Sequence, residues 1–179
     1  MPSIDPIVAK LARAQKSFFC AADTIPAEQW SRKPSSEEWS AAELVAHLVM
    51  VERAVVGGAD RIIQKAPKEI TFLKRFHLPF WLVETRLVRR KTPLPLDPGL
   101  LGHKEEMLAG LRAARERTLA FLEETQQRDL SPYRWEHAFL GTLNVYQWFE
   151  MIASHELRHT KQIKEIAAHL LKAVENTHK

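Results

Sequence analysis

Apolar side chains return at steps of three and four residues along most of this chain. Prolines and glycines cut the pattern into four long uninterrupted stretches, residues 7–25, 35–56, 111–131 and 142–179. Each stretch reads as an amphipathic helix. In the first, Ile7, Leu11, Phe18 and Ala22 share a face while Lys10, Arg13 and Lys16 turn away. The second opens with Ser40 and Glu43 in capping-box register after Trp39, and Leu44, His47, Leu48, Val51 and Val55 follow as a stripe. The third begins near Gly102, with Leu108, Leu111, Leu119 and Leu122 at helical steps. The fourth is the most regular: Trp148, Ile152, His155, His159, Ile163, Ile166 and Leu170 form one continuous stripe after Thr142 or Asn144 as cap. No segment alternates with period two between turn signals, so no strand is expected. The predicted architecture is all-α, a four-helix bundle forming a single domain over residues 1–179, with a long, partly helical excursion between helices two and three.

That excursion, residues 57–101, differs in kind. It carries Gly57-Gly58, Pro67, Pro79 and the run TPLPLDPG, so the link is long and broken. It mixes Phe72, Leu73, Phe76, Phe80 and Trp81 with Lys74, Arg75, Arg86, Arg89, Arg90 and Lys91. Two readings fit: a membrane-surface or partner-binding segment, or a lid whose aromatics pack over one end of the bundle.

Composition narrows the class. At 179 residues, 45% hydrophobic and 27% charged, the chain can bury a sizeable core and is not disordered. Cys20 is the single cysteine, so no intrachain disulfide framework exists; in SFFCAA it reads as a buried structural thiol. The start, MPSIDPIVAKLARAQ, lacks the basic and apolar regions of a signal peptide, and no run is long and apolar enough to span a bilayer. These features predict a cytoplasmic protein. The net charge of +4 is mild and points to neither nucleic acid nor membrane as a partner.

The chemistry lies in HELRHTKQI, residues 155–163. His155 and His159, four apart with Glu156 after the first, match the zinc-protease pattern HExxH. The rest of that pattern is missing. A metzincin needs glycine at 162 and histidine at 165, where this chain has Gln162 and Glu165; a gluzincin needs a later helix, and only twenty residues follow His159. Without the general-base context, Glu156 reads as a flanking carboxylate. Two histidines one turn apart on an inward stripe can still converge on one point, and burying two imidazoles without common purpose is costly. His47, between Leu44 and Leu48 on the second stripe, is a third inward histidine from another helix. Three imidazoles would make a three-ligand divalent metal site with an open position. Neutral ligands would leave the charge of the ion uncompensated, so a bound water or thiol would be strongly acidified.

The motifs WSxxELxxHL (residues 39–48) and HExRHxxQI (residues 155–163), set in NVYQWFEMIASHELRHTKQI, resemble those of the DinB-like (YfiT-like) metalloenzyme superfamily. The resemblance covers nearly the whole chain, and HAFLGTLN, residues 137–144, also resembles the approach to the last helix in one branch of it. It implies a four-helix bundle binding nickel or zinc through His47, His155 and His159. Characterised relatives include bacillithiol S-transferases and mycothiol-dependent maleylpyruvate isomerases. The implied function is therefore a thiol-dependent transferase or isomerase acting on a small-molecule substrate, with a low-molecular-weight thiol as cosubstrate. Dimers are common in the family, which implies a homodimer. An alternative is a metal-binding bundle that acts as a binding or stress-response module without turnover, because no acid, base or nucleophile stands beside the histidines. A third reading is a basic amphipathic surface protein acting through residues 61–91. Secondary candidates are His137, which stands before the last helix and reads either as a group that meets substrate or a ligand at the mouth of the site or as a surface loop histidine, and Glu43 and Glu52, which read either as hydrogen-bond partners for a ligand histidine or as solvated carboxylates. His77, His103, His169 and His178 show no convergent spacing and receive no role.

Overall fold

A computed structural model describes residues 3–67, 79–84, 99 and 101–177. Four long helices account for most of them: α1 (Asp5–Ala22), α2 (Ala41–Ile63), α4 (Lys104–Glu124) and α5 (Val145–Thr177). A one-turn helix α3 (Trp81–Glu84) lies between α2 and α4, and a small antiparallel hairpin, β1 (Arg134–His137) with β2 (Gly141–Asn144), leads into α5. Helix α1 packs on α5, α2 on α4, and α2 on α5. This is the predicted four-helix bundle.

The local signals act as expected at the helix starts. Ser40 accepts from the Glu43 N–H while the Glu43 carboxylate accepts from the Ser40 N–H, so two orphan amides of α2 are satisfied. At α5 the same exchange runs between Asn144 and Gln147, at 2.8 Å in each direction. Two expectations fail. Helix α2 does not stop at Gly57-Gly58 but continues to Ile63. The glycine pair serves packing rather than a break: a Cβ on Gly58 would sit 3.3 Å from the Trp135 ring, so a bare backbone lets the hairpin approach. The second failure is the hairpin itself. Its strands are four residues each, too short for alternation to register, and Gly141 at φ 89° closes its three-residue turn in the left-handed region.

Cys20 is a further correction, for it is exposed rather than buried. Two residues beyond Phe18, it falls about 200° around α1 from the buried face of Leu11, Ala14 and Phe18.

The apolar core forms two clusters stacked along the bundle. One gathers Phe18, Trp30, Leu44, Leu48, Leu111, Ile163 and Leu170; the other gathers Leu11, Val55, Phe121, Leu122, Leu143, Phe149 and Ile152. Along α2, α4 and α5 the boundary between them is polar: Glu52, Arg115 with Thr118, and Glu156 occupy it, all buried. Arg115 donates to Glu52 (2.7 Å), to Glu156 (2.9 Å) and to the Leu11 carbonyl (2.7 Å), while Thr118 donates to Glu52 (2.7 Å). One guanidinium thereby ties all four helices.

Of the excursion, residues 68–78 and 85–98 lie outside the described residues, and with them Phe72, Leu73, Phe76, Lys74, Arg75, Arg86, Arg89, Arg90 and Lys91. The described part docks on the bundle. Phe80 and Val83 pack on the second core cluster, and Glu84 bonds Lys10 (3.2 Å) and Ser154 (3.0 Å). Lys161 caps the Glu84 carbonyl at 2.9 Å. Trp81 stays 61% exposed.

Candidate metal centre

Helix α2 carries His47 one turn after Glu43, and α5 carries His155 and His159 one turn apart, so the contact of α2 with α5 decides whether they meet. They do. His47 Nε2 lies 3.1 Å from His155 Nε2, and His159 Nε2 lies 3.0 Å from the same atom. One ring nitrogen from each of the three falls within 4.8 Å of the others. His47 and His159 are buried, 4% and 6% exposed, and His155 is partly exposed.

Burial keeps two of these rings, His47 and His155, neutral. Burial pushes the His47 pKa down to about 4. Burial, then the neighbouring His159 and His47, hold His155 well below the ordinary histidine range. Tautomers follow from partners: His159 Nδ1 faces the Gln162 side-chain oxygen at 2.9 Å, which only accepts, so Nδ1 carries the proton and Nε2 turns a bare lone pair to its neighbours. Gln162 entered the sequence reading as the residue that broke the metzincin pattern and as a fixed position of HExRHxxQI, without a role of its own. Its i+3 spacing from His159 is the signal for its actual work, which is to orient that ring.

Neither expected carboxylate reaches a histidine. Glu43 is held by Ser40 and by Lys33 at 2.8 Å, and Glu52 by Arg115 and Thr118. His47 Nδ1 is, among the described residues, buried without a hydrogen-bond partner. Glu156 points to Arg115 in the polar layer, which agrees with its reading as a flanking carboxylate. Burial raises its pKa to about 7 against the pull of Arg115.

An aromatic wall completes the site. Trp39 stacks on His159, with ring centres 6.5 Å apart at 20°, and tilts over His47 at 5.0 Å. His137 lies in β1 and is half-buried, not in an exposed loop. Its Nδ1 accepts the N–H groups of Phe139 (3.1 Å) and Leu140 (3.2 Å), and its ring rests 5.0 Å from that of Trp148. His103 precedes α4 without capping it by its side chain, His169 is exposed, and His77 and His178 lie outside the described residues.

The donor set suits a divalent ion. Ligand nitrogens around a tetrahedral zinc with bonds of 2.0–2.1 Å stand about 3.3 Å apart, close to the two separations from His155 Nε2. Imidazole nitrogens also suit transition-metal ions better than calcium or magnesium.

Comparison with known proteins places the chain in a family. The chain is similar to the uncharacterized protein YuaE of Bacillus subtilis (strain 168), 29% identical over 142 residues, which are 78% of this chain and 83% of the relative. Its fold is similar to the crystal structure of TT2238, a four-helix bundle protein, with a TM-score of 0.57 at 21% identity over 91% of this chain and 99% of that one. The family model of the DinB superfamily matches residues 10–163, a span that includes His47, His155 and His159, and the chain belongs to that superfamily.

Proposed function

We propose that this protein is a metal-dependent enzyme that transfers or isomerises a small electrophile with the help of a low-molecular-weight thiol. The observation that carries the reading is the convergence of three imidazoles from two helices on one point. His47, His155 and His159 would hold zinc or nickel. When bound, the ion supplies Lewis acidity that converts a coordinated thiol to thiolate near neutral pH. The chain contributes the rest: Gln162 fixes the His159 ring, Trp39 shields one side from water, and burial keeps the ligands deprotonated without competition from protons. The reading places the protein in the cytoplasm as a homodimer acting on small molecules rather than on nucleic acid or membrane.

Metal analysis of protein purified without an affinity tag tests it. The expected result is about one divalent ion per chain and a higher melting temperature on its addition. Bacillithiol, mycothiol and glutathione are then screened against electrophiles, and His159→Ala should abolish any turnover found.

A second reading is supported by a specific observation. Glu43, Glu52 and Glu156 are all engaged elsewhere, so none of them is available as an acid or base at the cluster. A bundle that binds metal and ligand without turnover fits that arrangement, and a metal-replete protein inert toward every thiol would favour it.

A further inference from the structure

His137 has an arrangement that packing alone does not require. Its Nδ1 accepts two backbone N–H groups of its own turn, so that nitrogen is unprotonated and the neutral ring must carry its hydrogen on Nε2. Burial lowers the His137 pKa and so favours this neutral form. Among the described residues Nε2 has no hydrogen-bond partner.

The hairpin also fixes where that N–H sits. Trp135 is stacked on Trp148 (4.7 Å, 8°) and backed by Gly58, so β1 is clamped between α2 and α5. The His137 ring rests on the same Trp148. Trp148 and His155 share a stripe seven residues apart, about 10 Å along α5. A separation of about 10 Å is one that a small organic molecule can bridge.

We propose that His137 is a substrate-binding residue whose Nε2–H receives the carboxylate of a small molecule whose thiol end sits at the three-histidine cluster. The proposal rests on the thiol reading above. It assigns the hairpin a purpose: to hold one tautomer of one ring at a set distance from the metal ligands.

The test uses the full-length protein loaded with Co(II), titrated with 3-mercaptopropionate and with 2-mercaptoethanol while thiolate-to-cobalt absorption is followed. The carboxylate thiol should bind about tenfold tighter, the size of one charge-assisted hydrogen bond. In His137→Asn the side-chain oxygen can still accept the two turn amides but the distal donor is gone, so the preference should vanish at unchanged melting temperature. His137→Gln keeps a donor near the Nε2 position and should retain part of the preference even if the turn loosens. Absorption with both thiols but no preference in the wild type overturns this inference alone, as does a preference that survives His137→Asn. No absorption with either thiol sinks the thiol reading and this inference with it.

Discussion

The guanidinium of Arg115 donates to the carboxylate of Glu156 at 2.9 Å, and Glu156 is the residue that follows His155 in α5. The polar layer that ties the four helices is therefore joined through one peptide unit to the candidate ligands. Glu52 closes the layer from the α2 side, five residues after His47. The register of α2 against α5, on which convergence of the histidines depends, is set by hydrogen bonds that tolerate little sliding.

Arg115→Ala leaves two carboxylates buried with no cation. A loss of about 3–5 kcal/mol of stability is expected, together with weaker metal binding. Urea denaturation and a metal competition titration measure both; a loss under 1 kcal/mol would mean the layer is not a structural tie.

Acid should destabilise the metal-free protein. His47 titrates near 4 when folded and near 6.5 when unfolded, so between these values the unfolded chain binds more protons and stability falls as pH drops, by about 3 kcal/mol for this group. His155 acts in the same direction. Glu156 opposes them, because its folded pKa is raised to about 7 and the folded state holds its proton as pH rises from 4.5. Denaturation midpoints from pH 4 to 8 should rise toward neutrality, and more steeply in Glu156→Gln; a flat wild-type profile contradicts the assignment.

Trp39 reports on the centre. With its ring 5.0 Å from that of His47, its fluorescence should be quenched by Ni(II) or Co(II) bound there. Trp39→Phe should abolish the quenching that titrates one-to-one with metal while leaving the other four tryptophans emitting. Quenching that persists in the variant would place the ion elsewhere.

Gln162→Ala frees the His159 ring and removes the acceptor that selects its tautomer. Metal affinity should fall about 10–100-fold with little change in metal-free stability. Gln162→Glu, which keeps an acceptor, should restore most of it. Equal affinity for all three proteins would show that Gln162 does not orient the ligand.

The turn at Gly141 offers a structural check. A side chain at φ 89° costs about 1–2 kcal/mol, so Gly141→Ala should lower the melting temperature by several degrees, read by circular dichroism.

The primary structure alone determined the helices, because a face that must be buried leaves its period in the chain, and caps such as Ser40 with Glu43 are local chemistry. It also singled out His47, His155 and His159, since histidines on an apolar stripe break the pattern. Tertiary structure decided what each face meets. Arg115 finds Glu52 and Glu156 from 63 and 41 residues away, a pairing that no periodicity encodes. Gly57-Gly58 reads as a break until Trp135 arrives to fill the space beside it, and four-residue strands are too short to declare themselves before their partner exists. Period records that a residue is covered; only packing records by what.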